Sequence, residues 1–466
     1  MKAEIKSIIN VLSANIIIIL IGIVQTFILP SILVPEEYGY WSLYLLYTGY
    51  AGFLILGFCD GFYLKYGGEK YEDLDKSIFS CYHWILATYL ITLFAIWYLL
   101  LTAFLPHDKR YLVFIFIGIG VVLSNQRSFF VLLNQATARF SIYAKGHVIE
   151  KISILIIAII CIFVRNVNAF YIIIASVVGK LITLIYFTFF SKDIVLTKPH
   201  IDKNIGLSVI DNIKVGFTLT LSGVGGMLMT GFGRFVVEKQ LGIVELGYYS
   251  LMFSISALFT QLIYAFSTVF FPVFRRVKEI RAKYLLGRFD QLIINLSGII
   301  LIIYYPARYL LEIIFPQYHP AMNPMVFLFP IVICQSRMTL VYNTLYKVLR
   351  YEKQLLKNVL IALAFSTLVT IVFFNLNKDK ESVAFATYLG FLFWNTIARY
   401  YYRKKENINN KWITPDIFLS FIYILANLIW GYTVTSFVII SVAVILVVAS
   451  KIQETDEIIK EFRKSI

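Results

Sequence analysis

The chain has 466 residues, of which 59% are hydrophobic and only 15% are charged. Soluble domains contain roughly 45–50% apolar and about 25% charged residues, so a water-soluble fold could not hide this many apolar side chains. The formal net charge of +15 does not point to nucleic acid, because cationic loops between apolar helices are typical of membrane proteins. The composition excludes soluble enzymes and nucleic-acid binders, and it predicts an integral membrane protein.

Apolar runs long enough to cross a bilayer follow one another along the chain. The first continues to about residue 33 and is too long for a signal peptide, so it predicts a retained membrane helix. Seven predicted spans lie near 8–33, 40–64, 78–104, 111–134, 147–165, 169–190 and 213–237. Seven more lie near 246–274, 289–315, 323–347, 355–375, 383–402, 413–432 and 434–450. Only a short turn-forming stretch separates the last two, which leaves thirteen spans as the alternative.

The positions of lysine and arginine indicate how these spans are oriented. With the N-terminus in the cytoplasm, 31 of the 42 basic residues fall in inner segments, 6 in outer loops and 5 within spans. Cytoplasmic loops of membrane proteins carry such an excess of basic residues. We therefore predict that both termini are cytoplasmic.

Patterns for metal or nucleotide chemistry do not occur in the sequence. Cys59, Cys81, Cys161 and Cys334 have no CxxC spacing, and we interpret them as packing thiols. The sequence has no HExxH, GxxxxGK[ST] or GxGxxG pattern. We predict no metal site and no cofactor, and ATP-driven transport by this chain alone is not expected.

A short motif occurs twice, 208 residues apart: EYGYWSL at Glu37–Leu43 and ELGYYSL at Glu245–Leu251. Six predicted spans separate the copies, so both halves have the same orientation, and a pseudo-twofold axis would run along the membrane normal. The repeat predicts two six-helix lobes, residues 1–200 and 201–405, followed by a C-terminal helix pair with a cytoplasmic tail, residues 406–466. Two such lobes would form a cleft open to one side at a time, which is typical of a transporter.

With about fourteen spans, two six-helix lobes and this paired motif, the chain resembles the multidrug/oligosaccharidyl-lipid/polysaccharide exporter superfamily over its whole length. Within the superfamily it is most similar to the bacterial O-antigen flippases of the polysaccharide-synthesis branch. The resemblance implies an all-α membrane fold that moves undecaprenyl-pyrophosphate-linked oligosaccharide from the cytoplasmic to the periplasmic leaflet. Family members often carry an Asp-Arg pair in span seven, where this chain has Gly233-Arg234, so a role that depends on that aspartate does not carry over.

The resemblance also implies a location and a set of partners. It places the chain in the bacterial inner membrane, with a lipid-linked glycan as substrate and membrane lipids around it. A polysaccharide polymerase and a chain-length regulator are the expected protein partners, and no nucleic acid is expected.

Ionisable residues within the predicted spans are candidate functional groups, because each is costly in a membrane unless it is paired or faces water. Arg234 and Arg308 each have a glutamate four residues later, so we predict pairing within one helix. Arg127, Lys180 and Arg337 have no acidic residue three or four positions away, and no carboxylate is expected at their depth. We predict that these three cations line a central cavity, with Arg127 nearer the cytoplasmic entrance.

The sign of this charge indicates the kind of substrate. A cationic drug would need buried carboxylates, whereas lysine and arginine suit an anion, and arginine can bind pyrophosphate through paired hydrogen bonds. Further candidate cavity residues are Arg234, Arg308, Asn125, Gln126 and Gln335. The alternative is structural: the three cations would bond backbone carbonyls or polar side chains, and the amides would join helices.

Two other functions remain open from the residues. One is a multidrug or other polysaccharide exporter of the same superfamily. The other is a membrane polysaccharide polymerase or glycosyltransferase, but such enzymes generally expose catalytic residues in a sizeable outer loop, and the predicted outer loops are short.

Span seven is rich in glycine, with five in eleven residues. Each glycine weakens a helix by up to about 1 kcal/mol relative to alanine. Because this span opens the second half after the long 191–212 connection, we predict a hinge that switches the cleft between inward and outward access. Close helix packing is the alternative. The hinge residues are Gly223, Gly225, Gly226, Gly231 and Gly233.

Overall fold

The computed structural model describes residues 17, 19–163, 167–199, 204–276, 279–349, 351–405 and 414–465. In these ranges the regular secondary structure is helical, and no strand occurs. The chain forms two compact units: Met1–Met227, which we call unit 1, and Leu228–Ile466, which we call unit 2. The predicted all-helical membrane fold is confirmed.

Unit 1 contains the helices of the first half of the chain. They are α1 (Ile19–Ile32), α2 (Pro35–Gly49), α3 (Phe58–Lys65), α4 (Lys76–Phe104), α5 (Lys109–Ala136), α6 (Phe140–Ile162), α7 (Ala169–Phe190) and α8 (Lys192–Leu196). Helix α9 (Ile205–Gln240) begins in unit 1 and ends in unit 2, because the boundary between the units follows Met227.

Unit 2 contains the helices of the second half. They are α10 (Ile243–Arg276), α11 (Glu279–Ile314), α12 (Met322–Leu328), α13 (Ile331–Arg337), a π-helical turn (Met338–Tyr342), α14 (Asn343–Val348), α15 (Glu352–Asn377), α16 (Lys380–Lys405), α17 (Pro415–Trp430) and α18 (Val434–Ser465). Segments Pro316–Leu328 and Ile331–Tyr346 meet at a bend of 48°. Pro330 lies in that bend, where it cannot donate the hydrogen bond of a continuous helix.

Among the described residues, eight helices are long and apolar enough to cross a membrane, or up to ten if each bent pair is one span. Two apolar helices, α1 and α17, are shorter. Helices α6 and α16 lie where the fifth and twelfth spans were predicted, but neither is among the helices that are long and apolar enough to cross a membrane. The described helices coincide with the predicted spans, but a count of fourteen crossings is not confirmed.

The second predicted span is broken in the middle. Helix α2 and the 3₁₀ turn Ala51–Ile55 meet α3 at an angle of 57°. At the break Gly57 has a φ of 83°, and a side chain there would lie 2.6 Å from the backbone of Gly216 in α9. Asn125 of α5 donates a hydrogen bond to the carbonyl of Ala51, N to O 2.9 Å, and the Tyr89 hydroxyl donates to the carbonyl of Leu54 at 2.9 Å. These side chains satisfy backbone groups that a lipid environment would leave without partners.

The repeated motif begins at an acidic residue with an equivalent contact in each unit. In unit 1, Glu37 forms an ion pair with Lys109 and accepts a hydrogen bond from the backbone N–H of Ala169, 2.7 Å away. In unit 2, Glu245 pairs with Lys380 at 2.7 Å. Ala169 and Lys380 are the first residues of α7 and α16. In both units, therefore, the helix that starts with the motif is tied to the beginning of another long helix.

A similar hydroxyl contact joins the same helices in each unit. The Tyr44 hydroxyl of α2 lies 3.3 Å from the Ser176 hydroxyl of α7. In unit 2, the Tyr249 hydroxyl of α10 lies 3.1 Å from the Thr387 hydroxyl of α16. Ser176 and Thr387 each lie seven residues after the start of their helix, but Tyr249 takes the motif position of Trp41, so the two contacts are similar without being equivalent in the repeat.

Candidate anion-binding site

The three cations predicted to share one cavity belong to different units. Arg127 on α5 and Lys180 on α7 are part of unit 1, whereas Arg337, the last residue of α13, is part of unit 2. All three are largely buried, and Arg127 and Arg337 form ion pairs, so the expectation that no carboxylate lies at their depth is wrong for these two. Lys180 bonds to hydroxyl groups.

Arg127 forms an ion pair with Glu150 of α6. The exposed fractions of the two side chains are 16% and 11%. The fifth predicted span begins near residue 147, which would put Glu150 at its cytoplasmic start, but α6 begins at Phe140. Ten residues of helix set Glu150 about 15 Å beyond that start, which brings a carboxylate to a depth where none was expected.

Lys180 is bound by hydroxyl groups. Its ammonium nitrogen donates to the Tyr44 hydroxyl at 2.8 Å and to the Ser176 hydroxyl at 3.3 Å, and it lies 4.8 Å from the centre of the Tyr44 ring. Within the described part of the chain, it forms no ion pair with Glu150, although the two charges are close enough to interact. These bonds to polar side chains are the contacts that the structural alternative predicted.

Positive charge exceeds negative charge around Glu150. Its carboxylate interacts electrostatically with Arg127, Lys151 and Lys180, and with His147 one turn earlier on α6. We call these five residues the unit-1 basic cluster. With His147 neutral, three cations face one carboxylate, which leaves two positive charges without a compensating acid inside the cluster.

Several buried polar atoms of this region have no hydrogen-bond partner among the described residues. They are the Arg127 Nε, the His147 Nε2 and both amide atoms of Gln126, a side chain that is 5% exposed. Buried polar groups are normally satisfied, and unsatisfied ones often mark a functional position. The N–H donors among these atoms are available to an anion.

Around Arg337 in unit 2, by contrast, acidic and basic side chains are equal in number. Its Nε lies 2.9 Å from Asp290 of α11, and its Nη1 lies 2.5 Å from Asp416 of α17. Tyr342 hydrogen bonds to both Arg337 and Asp290. Arg399 of α16 interacts electrostatically with Arg337 and Asp290 and donates to Thr414 at 3.1 Å. In this group, the unit-2 ion network, two arginines face two aspartates, so the charges of its members balance.

The additional candidates have mainly structural contacts. Asn125 supports the break in the second span, as described above. Gln335 accepts a hydrogen bond from Thr260 at 2.7 Å.

Arg308 pairs with Glu312 at 2.9 Å, which confirms the predicted contact four residues along the helix. Arg234 donates to the carbonyl of Thr230, 3.4 Å away, and its guanidinium lies 4.7 Å from the Phe253 ring centre. Among these five candidates, and within the described ranges, only Gln126 has a side-chain amide without a hydrogen-bond partner.

The glycines of α9 differ in their surroundings. The boundary between the units, after Met227, falls inside the glycine-rich stretch. A side chain at Gly223 would meet nothing within 4 Å, whereas one at Gly233 would lie 2.8 Å from the Thr387 hydroxyl and 2.9 Å from the Tyr249 hydroxyl. Close packing therefore accounts for Gly233, and the hinge remains a prediction for the rest of the stretch.

The chemistry and the architecture define a class of protein. Long apolar helices in two units, interrupted spans and charged clusters inside those helices are the features of a polytopic membrane transporter. The chain belongs to the family described as polysaccharide biosynthesis protein, whose model matches residues 5–278. The predicted exporter superfamily is thereby confirmed.

Solved structures with the same fold are transporters and a flippase. An inward closed conformation of the lipid II flippase MurJ is 14% identical, with a TM-score of 0.66 over 97% of this chain and 100% of that chain. An inward-facing multidrug resistance MATE family transporter of the MOP superfamily is 13% identical, with a TM-score of 0.58 over 86% of this chain and 98% of that chain. A mutant of the Vibrio cholerae MATE transporter VcmN is 13% identical, with a TM-score of 0.58 over 88% of this chain and 97% of that chain. A comparison with curated protein sequences gives no match.

Proposed function

We propose that this chain is a flippase that moves an undecaprenyl-pyrophosphate-linked oligosaccharide, an O-antigen or similar surface polysaccharide repeat unit, from the cytoplasmic to the periplasmic leaflet. The observation that carries the proposal is the excess positive charge of the unit-1 basic cluster. Membership of the polysaccharide biosynthesis family and the likeness to a lipid II flippase support it. Bacterial inner-membrane location, cytoplasmic termini, and a polymerase and a chain-length regulator as partners belong to the same proposal.

The pyrophosphate bridge of such a lipid is an anion that suits the unit-1 basic cluster. A guanidinium has five N–H donors, and Glu150 engages only the Nη1 of Arg127. An ammonium has three donors, and Lys180 uses two of them on hydroxyls. The remaining donors, with Lys151 nearby, can bind phosphate oxygens through charge-assisted hydrogen bonds.

Alternating access needs a part of the molecule that bends, and α9 is the proposed place. Its glycines flank the boundary between the two units, and Gly223 has open space around it. Gly225, Gly226 and Gly231 complete the proposed hinge, while Gly233 serves packing.

Glycan export in a strain that lacks the endogenous protein tests the proposal. Replacement of Lys180 by methionine removes one positive charge at nearly constant volume, and we expect repeat units to accumulate on the inner leaflet. Arg308→Met is the matched control, because it removes a buried cation that is already neutralised by Glu312. Protein levels in the membrane are measured in parallel. Normal export by Lys180→Met would contradict an anion site at this cluster.

Two alternatives give different outcomes. The fold is shared with multidrug transporters, so binding of a cationic dye in place of a diphosphate would favour a multidrug exporter. Accumulation of flipped but unpolymerised units on the periplasmic side would favour a polymerase or glycosyltransferase. The solved structures with this fold are transporters, which favours transport over enzymatic activity.

A further inference from the structure

The ammonium group of Lys180 lies near a carboxylate but is bound elsewhere. Glu150 attracts it electrostatically, yet its two hydrogen bonds go to the hydroxyls of Tyr44 and Ser176, at 2.8 and 3.3 Å. Tyr44 is fully buried and contacts Ser176 as well. The two hydroxyls thus form a fixed pair of acceptors on the face of α7 that carries the lysine.

A similar hydroxyl pair in unit 2 lies on a helix that has no lysine at the corresponding position. The hydroxyls of Tyr249 and Thr387 make this contact, and the residue four positions after Thr387 is Phe391, which is 1% exposed. In unit 1, the residue four positions after Ser176 is Lys180. Helix joining therefore accounts for the pair in unit 2, whereas in unit 1 the pair has a lysine to hold.

We propose that Tyr44 is a positioning residue, whose hydroxyl holds the ammonium of Lys180 apart from Glu150 and so keeps its charge available to the diphosphate of the substrate. This inference rests on the proposed function. Lysine has a flexible four-carbon stem, so without an acceptor at Tyr44 the ammonium turns toward the nearest carboxylate. A pair between Lys180 and Glu150 would use the positive charge that the anion needs.

Binding of farnesyl diphosphate to the full-length protein in lipid nanodiscs tests the proposal. A hydrogen bond to a charged group changes an equilibrium by about tenfold or more, and we expect Tyr44→Phe to raise the Kd by about that factor. Tyr249→Phe is the matched control, since it removes the same type of hydroxyl contact in unit 2. Its Kd is expected to stay within about twofold of the original.

A second substitution separates positioning from packing. In the double variant Tyr44→Phe with Glu150→Gln, no carboxylate is left to attract Lys180, so we expect the affinity to return to that of the original protein or above it. If Tyr44→Phe is too unstable to purify, Ser176→Ala removes the other acceptor and should give a smaller loss in the same direction, again restored by Glu150→Gln.

The outcomes distinguish this inference from the function on which it rests. If Lys180→Met binds farnesyl diphosphate as tightly as the original protein, the anion site itself is wrong, and the role of Tyr44 falls with it. If Lys180→Met weakens binding but Tyr44→Phe does not, the site stands and the positioning role is overturned. Equal losses in Tyr44→Phe and Tyr249→Phe, or a double variant that is not restored, also overturn it.

Discussion

Replacement of Arg337 by methionine is expected to destabilise the protein. Arg337 is 1% exposed, and its partners Asp290 and Asp416 have side-chain exposures of 14% and 5%. The substitution leaves two carboxylates in the unit-2 ion network with only Arg399 to balance them. Removal of one partner from a buried ion pair costs about 3–5 kcal/mol, and we expect a loss of that size in the free energy of unfolding. This differs from a substrate-binding role, in which transport would fail while stability was kept.

Reversible unfolding in mixed detergent micelles measures the effect. Arg308→Met is the control, because the one carboxylate that it leaves without a partner, Glu312, is 25% exposed and can be hydrated. We expect a smaller loss of stability from this variant than from Arg337→Met. A triple variant, Arg337→Met with Asp290→Asn and Asp416→Asn, removes all three charges. It should recover part of the lost stability, since a neutral replacement of a buried ionic group is often tolerated. A change below about 1 kcal/mol in Arg337→Met, with transport abolished, would refute this reasoning.

Two further predictions concern the hinge and the topology. Gly233→Ala should lower the free energy of unfolding by about 1–3 kcal/mol, because its new methyl group overlaps the Thr387 hydroxyl; Gly223→Ala should fold normally and slow transport, and a native transport rate would exclude a hinge at Gly223. Single cysteines at Gln317 and Asp379 should react with a membrane-impermeant reagent added outside, as the bias of basic residues predicts; labelling only from the inside would reverse the orientation of the second half.

The amino-acid sequence by itself determined the class of the protein and the order of its helices. An apolar run that must sit in lipid can satisfy its backbone only by forming a helix, so helix positions follow from local composition without knowledge of neighbours. The repeated motif predicted two halves of like orientation, and in the structure its first residues, Glu37 and Glu245, each form an ion pair with a lysine. The pairing of Arg308 with Glu312 was predictable because residues four apart on a helix are always neighbours.

Only the tertiary structure decided what each buried charge does. The partners of Arg337 are 47 and 79 residues away in the chain, and that of Arg127 is 23 residues away, so no helical spacing links them. The starts of the helices mattered as well, because α6 and α11 begin before the predicted spans and carry Glu150 and Asp290 away from the helix ends. The fold therefore neutralises Arg337 and leaves an excess of positive charge around Lys180, since helix packing, which local sequence does not encode, sets the distance from each cation to its nearest carboxylate.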